Sequence, residues 1–126
     1  MTTTYLSDQI ITDYFVGTKY ISEHTSNPGA TGANEVTVGI DSAYARQAAT
    51  MAKTLDGNFY RARNSADVSF PAAGAGASYS VTHIAVWDAV SGGNCLAVAA
   101  VTGGSLPVVA GTINTFAAND IVVRGE

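Results

Sequence analysis

Charge is scarce in this chain. Asp, Glu, Lys and Arg make up 13% of its 126 residues, about half the usual share. Six basic residues stand against ten acidic ones, for a net charge of −4, and they are dispersed. Neutralising phosphates takes clustered Lys and Arg, so nucleic acid is excluded as a partner. The tightest basic pair, Arg61 and Arg63, shares one face of a strand, to be solvated or met by a carboxylate.

Cysteine is nearly absent. The lone Cys95 cannot form an intramolecular disulfide, and its apolar neighbours suit a small core residue. No apolar run reaches the ~18 residues of a membrane span, and Met1-Thr2-Thr3-Thr4 lacks the basic and apolar regions of a secretory signal. The expectation is a soluble protein made in the cytoplasm, without a membrane partner.

Reactive constellations are missing too. The two histidines, His24 at a loop edge and His83 inside a strand, share no metal-ligand spacing, and His83 reads as a hydrogen-bonded sheet residue. There is no Gly-x-Ser-x-Gly elbow, and Gly92-Gly93 and Gly103-Gly104 lack the Lys of a phosphate loop. Acidic residues occur singly. The reading is a protein that is not an enzyme, with no cofactor and no metal.

Small residues and β-branched runs fill the space. A domain of this length buries roughly two-thirds of its unfolded surface, enough for a core without staples. Ser7 is a plausible N-cap, Asp8 suits the positive end of a helix dipole, and Leu6, Ile10, Ile11, Tyr14 and Phe15 form an apolar stripe before Gly17. A helix over about 5–16 follows, its stripe packing on a sheet or docking on a partner.

Strands follow the helix. Lys19 to Glu23 reads as the first, then a loop from His24 to Asn34 marked by Asn27-Pro28-Gly29. Glu35 to Ile40 alternates, as a strand or an extended arm. Tyr44 to Lys53 has helical propensity, yet the turn residues after it favour a hairpin with Phe59-Tyr60-Arg61. Asp67 to Phe70 ends at Pro71, and Ala72 to Ser78 is a side-chain-poor loop able to connect or to lie close against another subunit. Tyr79 to Asp88 and Cys95 to Val101, joined by Ser91-Gly92-Gly93-Asn94, predict a hairpin buried on much of both faces, with Trp87 in the core. Ser105 to Val109, Ile113 to Phe116 and Asp120 to Arg124 supply the last strands. Short strands without a βαβ rhythm predict an all-β fold, a mainly antiparallel sandwich or barrel-like domain over 1–126 with a short N-terminal α-helix.

The order of several segments carries a resemblance. Tyr44-Ala45-Arg46-Gln47-Ala48, Val68-Ser69-Phe70-Pro71, Val81-Thr82-His83 through Trp87-Asp88, Ser91-Gly92-Gly93-Asn94, Val109-Ala110-Gly111-Thr112 and Phe116-Ala117 resemble a family of small virion proteins of tailed bacteriophages. The resemblance runs over about residues 5–124 and implies a virion structural protein. The favoured expectation is a capsid cement or decoration protein on the outer surface of the head. Its partners would be the major capsid protein and copies of itself, as a homo-oligomer. A tail, baseplate or tail-fibre component is the alternative, and a glycan-binding module a further one. Leu6, Ile10 and Tyr14 on the helix, with Ala73, Ala75 and Ala77 in the small-residue loop, are the candidate partner-binding residues.

Overall fold

The computed structural model describes residues 2–125, so Met1 and Glu126, the ends of the expected 1–126 span, lie outside the described residues. The protein has the all-β, antiparallel character predicted from the sequence, with one short helix. Its elements are α1 (Thr4–Tyr14), β1 (Gly17–His24), β2 (Gln47–Asp56), β3 (Phe59–Asn64), β4 (Val68–Ser69), β5 (Ser78–Val81), β6 (His83–Trp87), β7 (Cys95–Ala100), β8 (Leu106–Val109), β9 (Thr115–Phe116) and β10 (Val122–Arg124). They divide into two compact units, one of residues 1–19, 48–68 and 116–126, the other of residues 20–47 and 69–115.

The first unit holds α1 and an antiparallel β10-β3-β2 ladder. The helix is capped by Thr3, whose hydroxyl accepts from Leu6 N at 3.2 Å, rather than by Ser7. Both are hydroxyl residues of the kind an N-cap requires, but Ser7 is fully buried inside the helix and accepts instead from Tyr60 N at 2.7 Å. Gly17 ends the segment as expected, at φ +97°. Ser7 and Ile11 form the buried face of α1, continued by Phe15 at its C-cap. β2 and β3 join through Gly57 and Asn58, with Gly57 at φ +62° in the first of two turn positions, which glycine fills without steric cost.

In the second unit β6 pairs with β1 on one side and β7 on the other, while β5 pairs with β8. The long strand expected from Tyr79 to Asp88 is two strands, broken at Thr82. β5 leaves to pair with β8, and its Val81 packs with Ala73, Ala77, Val101 and Val108 in an apolar cluster. The hairpin of β6 and β7 forms, but the expectation of burial on both faces fails for β7, which is exposed from Val98 to Ala100. β7 has a hydrogen-bonded neighbour on one side alone, and its alanines offer little area to bury. Trp87 is buried, at 7% exposure. Glu35 to Ile40 makes no regular strand, only an isolated bridge from Glu35 to His24.

Candidate functional site

The most developed polar constellation lies inside the second unit and starts from an unusual strand. Residues 21–24 of β1 are all buried, and three of them are polar: Ser22, Glu23 and His24. Buried polar groups are costly unless partnered, so their partners define the site.

His24, at the loop edge that ends β1 and fully buried there, faces the Ala33 carbonyl with Nδ1 at 2.7 Å and Ser22 Oγ with Nε2 at 2.7 Å. A carbonyl only accepts, so the proton belongs on Nδ1, and Nε2 accepts from the Ser22 hydroxyl. Trp87 Nε1 in turn donates to Ser22 Oγ at 2.7 Å. The chain closes with a neutral imidazole, in keeping with a pKa held below its usual value by burial.

Arg46 makes a clamp. Its Nε and Nη2 donate to the two oxygens of Glu35, each at 2.9 Å, and its Nη1 donates to Ala89 O at 3.0 Å and Gly92 O at 2.8 Å. The guanidinium also lies 3.7 Å from the centre of the Trp87 ring. Every part of the planar fork is used, which lysine could not reproduce. Burial pushes the Glu35 carboxyl upward, but bonds from Arg46 and Tyr44 outweigh it and hold it below the ordinary range. The clamp fixes the β6–β7 loop, whose other end Asp88 closes by accepting from Asn94 N at 2.7 Å and Asn94 Nδ2 at 2.8 Å. Gly93, at φ +72°, has no room for a Cβ between Asp88 and Ala89. A rigid base therefore presents an exposed tip at Val90 and Ser91.

Asp41 ties down the small-residue loop. Its Oδ1 accepts from Ala43 N at 3.0 Å and Gly74 N at 2.9 Å, and its Oδ2 accepts from the Tyr79 hydroxyl at 2.8 Å. Burial raises its pKa, but these bonds outweigh it and the carboxyl stays below its ordinary value. Tyr79 is shifted upward by burial and by Asp41.

Glu23 is different. It is 1% exposed and receives one side-chain bond, from Asn114 Nδ2 to Oε2 at 2.7 Å. Burial, reinforced by the charge of Asp41, pushes its pKa to about 7 against the opposing Asn114 bond. It lines a cavity of about 10 Å³ with Asp41, Tyr44, Tyr79, Thr112 and Asn114. That is room for one water and no organic ligand. Among the described residues no group of three His, Cys, Asp or Glu is arranged to hold a metal ion.

The residues singled out in the sequence are divided between the units. Leu6 and Tyr14 are 49% and 58% exposed on α1, with Ile10 half-buried beside them. In the second unit Ala73 and Ala77 are buried in the apolar cluster, and only Ala75 of the three faces solvent. Cys95 is half-buried, and burial pushes its thiol upward. Of the basic pair, Arg61 meets Asp56 at 2.8 Å. The functional expectations named none of the buried polar residues, although Tyr44 and Arg46 fall in a segment that carries the phage resemblance.

Among the described residues no helix is long and apolar enough to cross a membrane. The family model of podophage GP4 fiber I protein gp80 matches residues 2–124. The chain belongs to this family, a family of tailed-phage virion structural proteins. No curated protein matches it. The Arg46 clamp uses residues from segments that carry the resemblance, and both it and the Asp41 tie do structural work: they hold loops in place.

Proposed function

We propose that the protein is a structural, non-catalytic subunit of the phage fibre apparatus. The observation that carries this is the family match to a fibre protein over nearly the whole chain. The buried polar groups fit the role, because they are spent on one another and on loop backbone rather than facing a substrate-sized cleft. Trp87, buried under Arg46, offers no open face for a sugar, which disfavours the glycan-binding reading.

Head decoration is the second reading. The charge-poor composition and the lack of a coiled-coil or collagen-like repeat favour it, since fibre shafts are commonly built from such repeats. A cement protein that binds only the assembled lattice stabilises that lattice by linkage, and many copies multiply a modest gain. Its partners would be the major capsid protein and further copies of the chain.

Particles lacking the protein separate the two. The fibre role predicts normal heat resistance with impaired adsorption to cells, and gold-labelled antibody against the chain on the tail. Early genome loss on heating, normal adsorption and label over the head would overturn it in favour of cement.

A further inference from the structure

Glu23 is a buried carboxyl with too few donors for a charge. Its side-chain hydrogen bond comes from Asn114 to Oε2. The titratable groups facing it are Asp41, from the turn before Tyr44, Tyr44 itself, and Tyr79 of β5. Opposite it on β6 stands Ile84, and the segment before β9 contributes the neutral Thr112 and Asn114. No cation is among them. An ionised Glu23 would sit beside the ionised Asp41 with one donor, whereas the protonated form carries no such penalty.

A continuous chain of bonds runs beside this carboxyl and is joined by the backbone amide of the same residue. Glu23 N donates to the Tyr44 hydroxyl at 3.1 Å, and that hydroxyl donates to Glu35 Oε2 at 2.7 Å. Glu35 holds Arg46, and Arg46 holds the Ala89 and Gly92 carbonyls. Every link lies in the second unit. The Tyr44 hydroxyl has one proton to donate, and the carboxyls of Glu23 and Glu35 both act on it. The Glu23 carboxyl lines the same cavity as Tyr44, so its ionised form would draw on that donor at the expense of Glu35, and the grip of Arg46 on the loop would slacken.

We propose that the protonation state of Glu23 sets the order of the exposed 89–93 loop through Tyr44, Glu35 and Arg46. The device is a contiguous network biased by one proton, and it stands whether the chain sits on a fibre or on the head. The full chain, labelled with 13C at the glutamate carboxyls and 15N throughout, is followed by NMR from about pH 5 to 9, spanning the buried carboxyl's titration. The Glu23 carboxyl carbon, the Arg46 Nε–H and the amides of residues 89–94 should move with one common midpoint. In Glu23→Gln the Arg46 and loop step should vanish. In Tyr44→Phe, which keeps the ring stacked on Phe70, Glu23 should still titrate while the Arg46 and loop step is lost. This second variant decides the matter if Glu23→Gln does not fold. A Glu23 titration with flat Arg46 and loop signals in the parent chain would overturn the proposal. So would a loop step that survives in either variant.

Discussion

The two units solve the problem of ionisable side chains in opposite ways. The first keeps its ion pairs nearer the surface: Lys53 meets Asp8 at 2.6 Å, each side chain about one-third exposed, and Arg61, whose Nε is buried without a hydrogen-bond partner among the described residues, meets a half-exposed Asp56. Its interior is Ile11, Phe15, Met51, Ala62 and Val123, with Asn64 as a buried polar residue. Asn64 is satisfied by donating to Ala66 O and Ala117 O and accepting from Ile121 N, each at 2.9 Å. The second unit buries Glu23, His24 and Asp41 and clamps Arg46 at 8% exposure. Surface pairs contribute little and tolerate loss, whereas buried charges are sensitive to pH and to any missing partner. Fragility should therefore concentrate in the second unit.

Trp87→Ala tests this most severely. It deletes a buried aromatic, strands the Ser22–His24 bonds and uncovers Arg46, and should cost about 3–5 kcal/mol. Denaturant unfolding followed by far-UV circular dichroism measures it, and a cost below ~1 kcal/mol would mean the indole is not core. Arg46→Ala follows. It leaves Glu35 without its cation and frees Ala89 O and Gly92 O, for about 3 kcal/mol, the low end for a buried pair because Glu35 is 22% exposed. Arg46→Lys should recover only part, since an ammonium cannot make both the fork and the stack.

Glu23 gives the pH prediction. Its pKa is raised to about 7 from an ordinary 4.5, so the fold favours the protonated form. Its contribution is intact below the ordinary value, declines as pH rises between the two, and levels off above about 7, a loss of about 3 kcal/mol. Unfolding midpoints across that window should fall for the parent and stay flatter for Glu23→Gln. Equal slopes would remove Glu23 as the source.

These sites mark where sequence reading stops. Turns were legible because their chemistry is local: Gly57-Asn58 and Gly92-Gly93 each sit between paired strands that reverse. The helix was legible from spacing and Gly17, while its cap moved to Thr3 because several hydroxyl residues, Thr3, Thr4 and Ser7 among them, compete at its start. The break at Thr82 was hidden, since β5 finds β8 some 25 residues away. Ser22, Glu23 and His24 read as ordinary polar strand residues. Their burial depends on Tyr44, Trp87 and Asn114, which lie 21 to 91 residues along the chain. Local pattern carries no trace of such partners.

The smallest expected effect on stability is at the exposed side of α1. Ile11 is fully buried and Ile11→Ala should cost about 2–5 kcal/mol, but Leu6 and Tyr14 project to solvent on the same helix. The double variant Leu6→Ser with Tyr14→Ser truncates side chains that are about half exposed, so its unfolding free energy should fall by only about 1 kcal/mol. Exposed apolar side chains with no role in the core can serve a partner, and contact surfaces favour aromatic anchors over charge. Supplied in place of the parent during phage growth, the variant should fold yet enter purified virions at a reduced copy number. Quantitative gel analysis of the particles reads this directly. Full incorporation would free α1 of any docking role and leave the second unit's rigid 89–93 loop as the surface to test next.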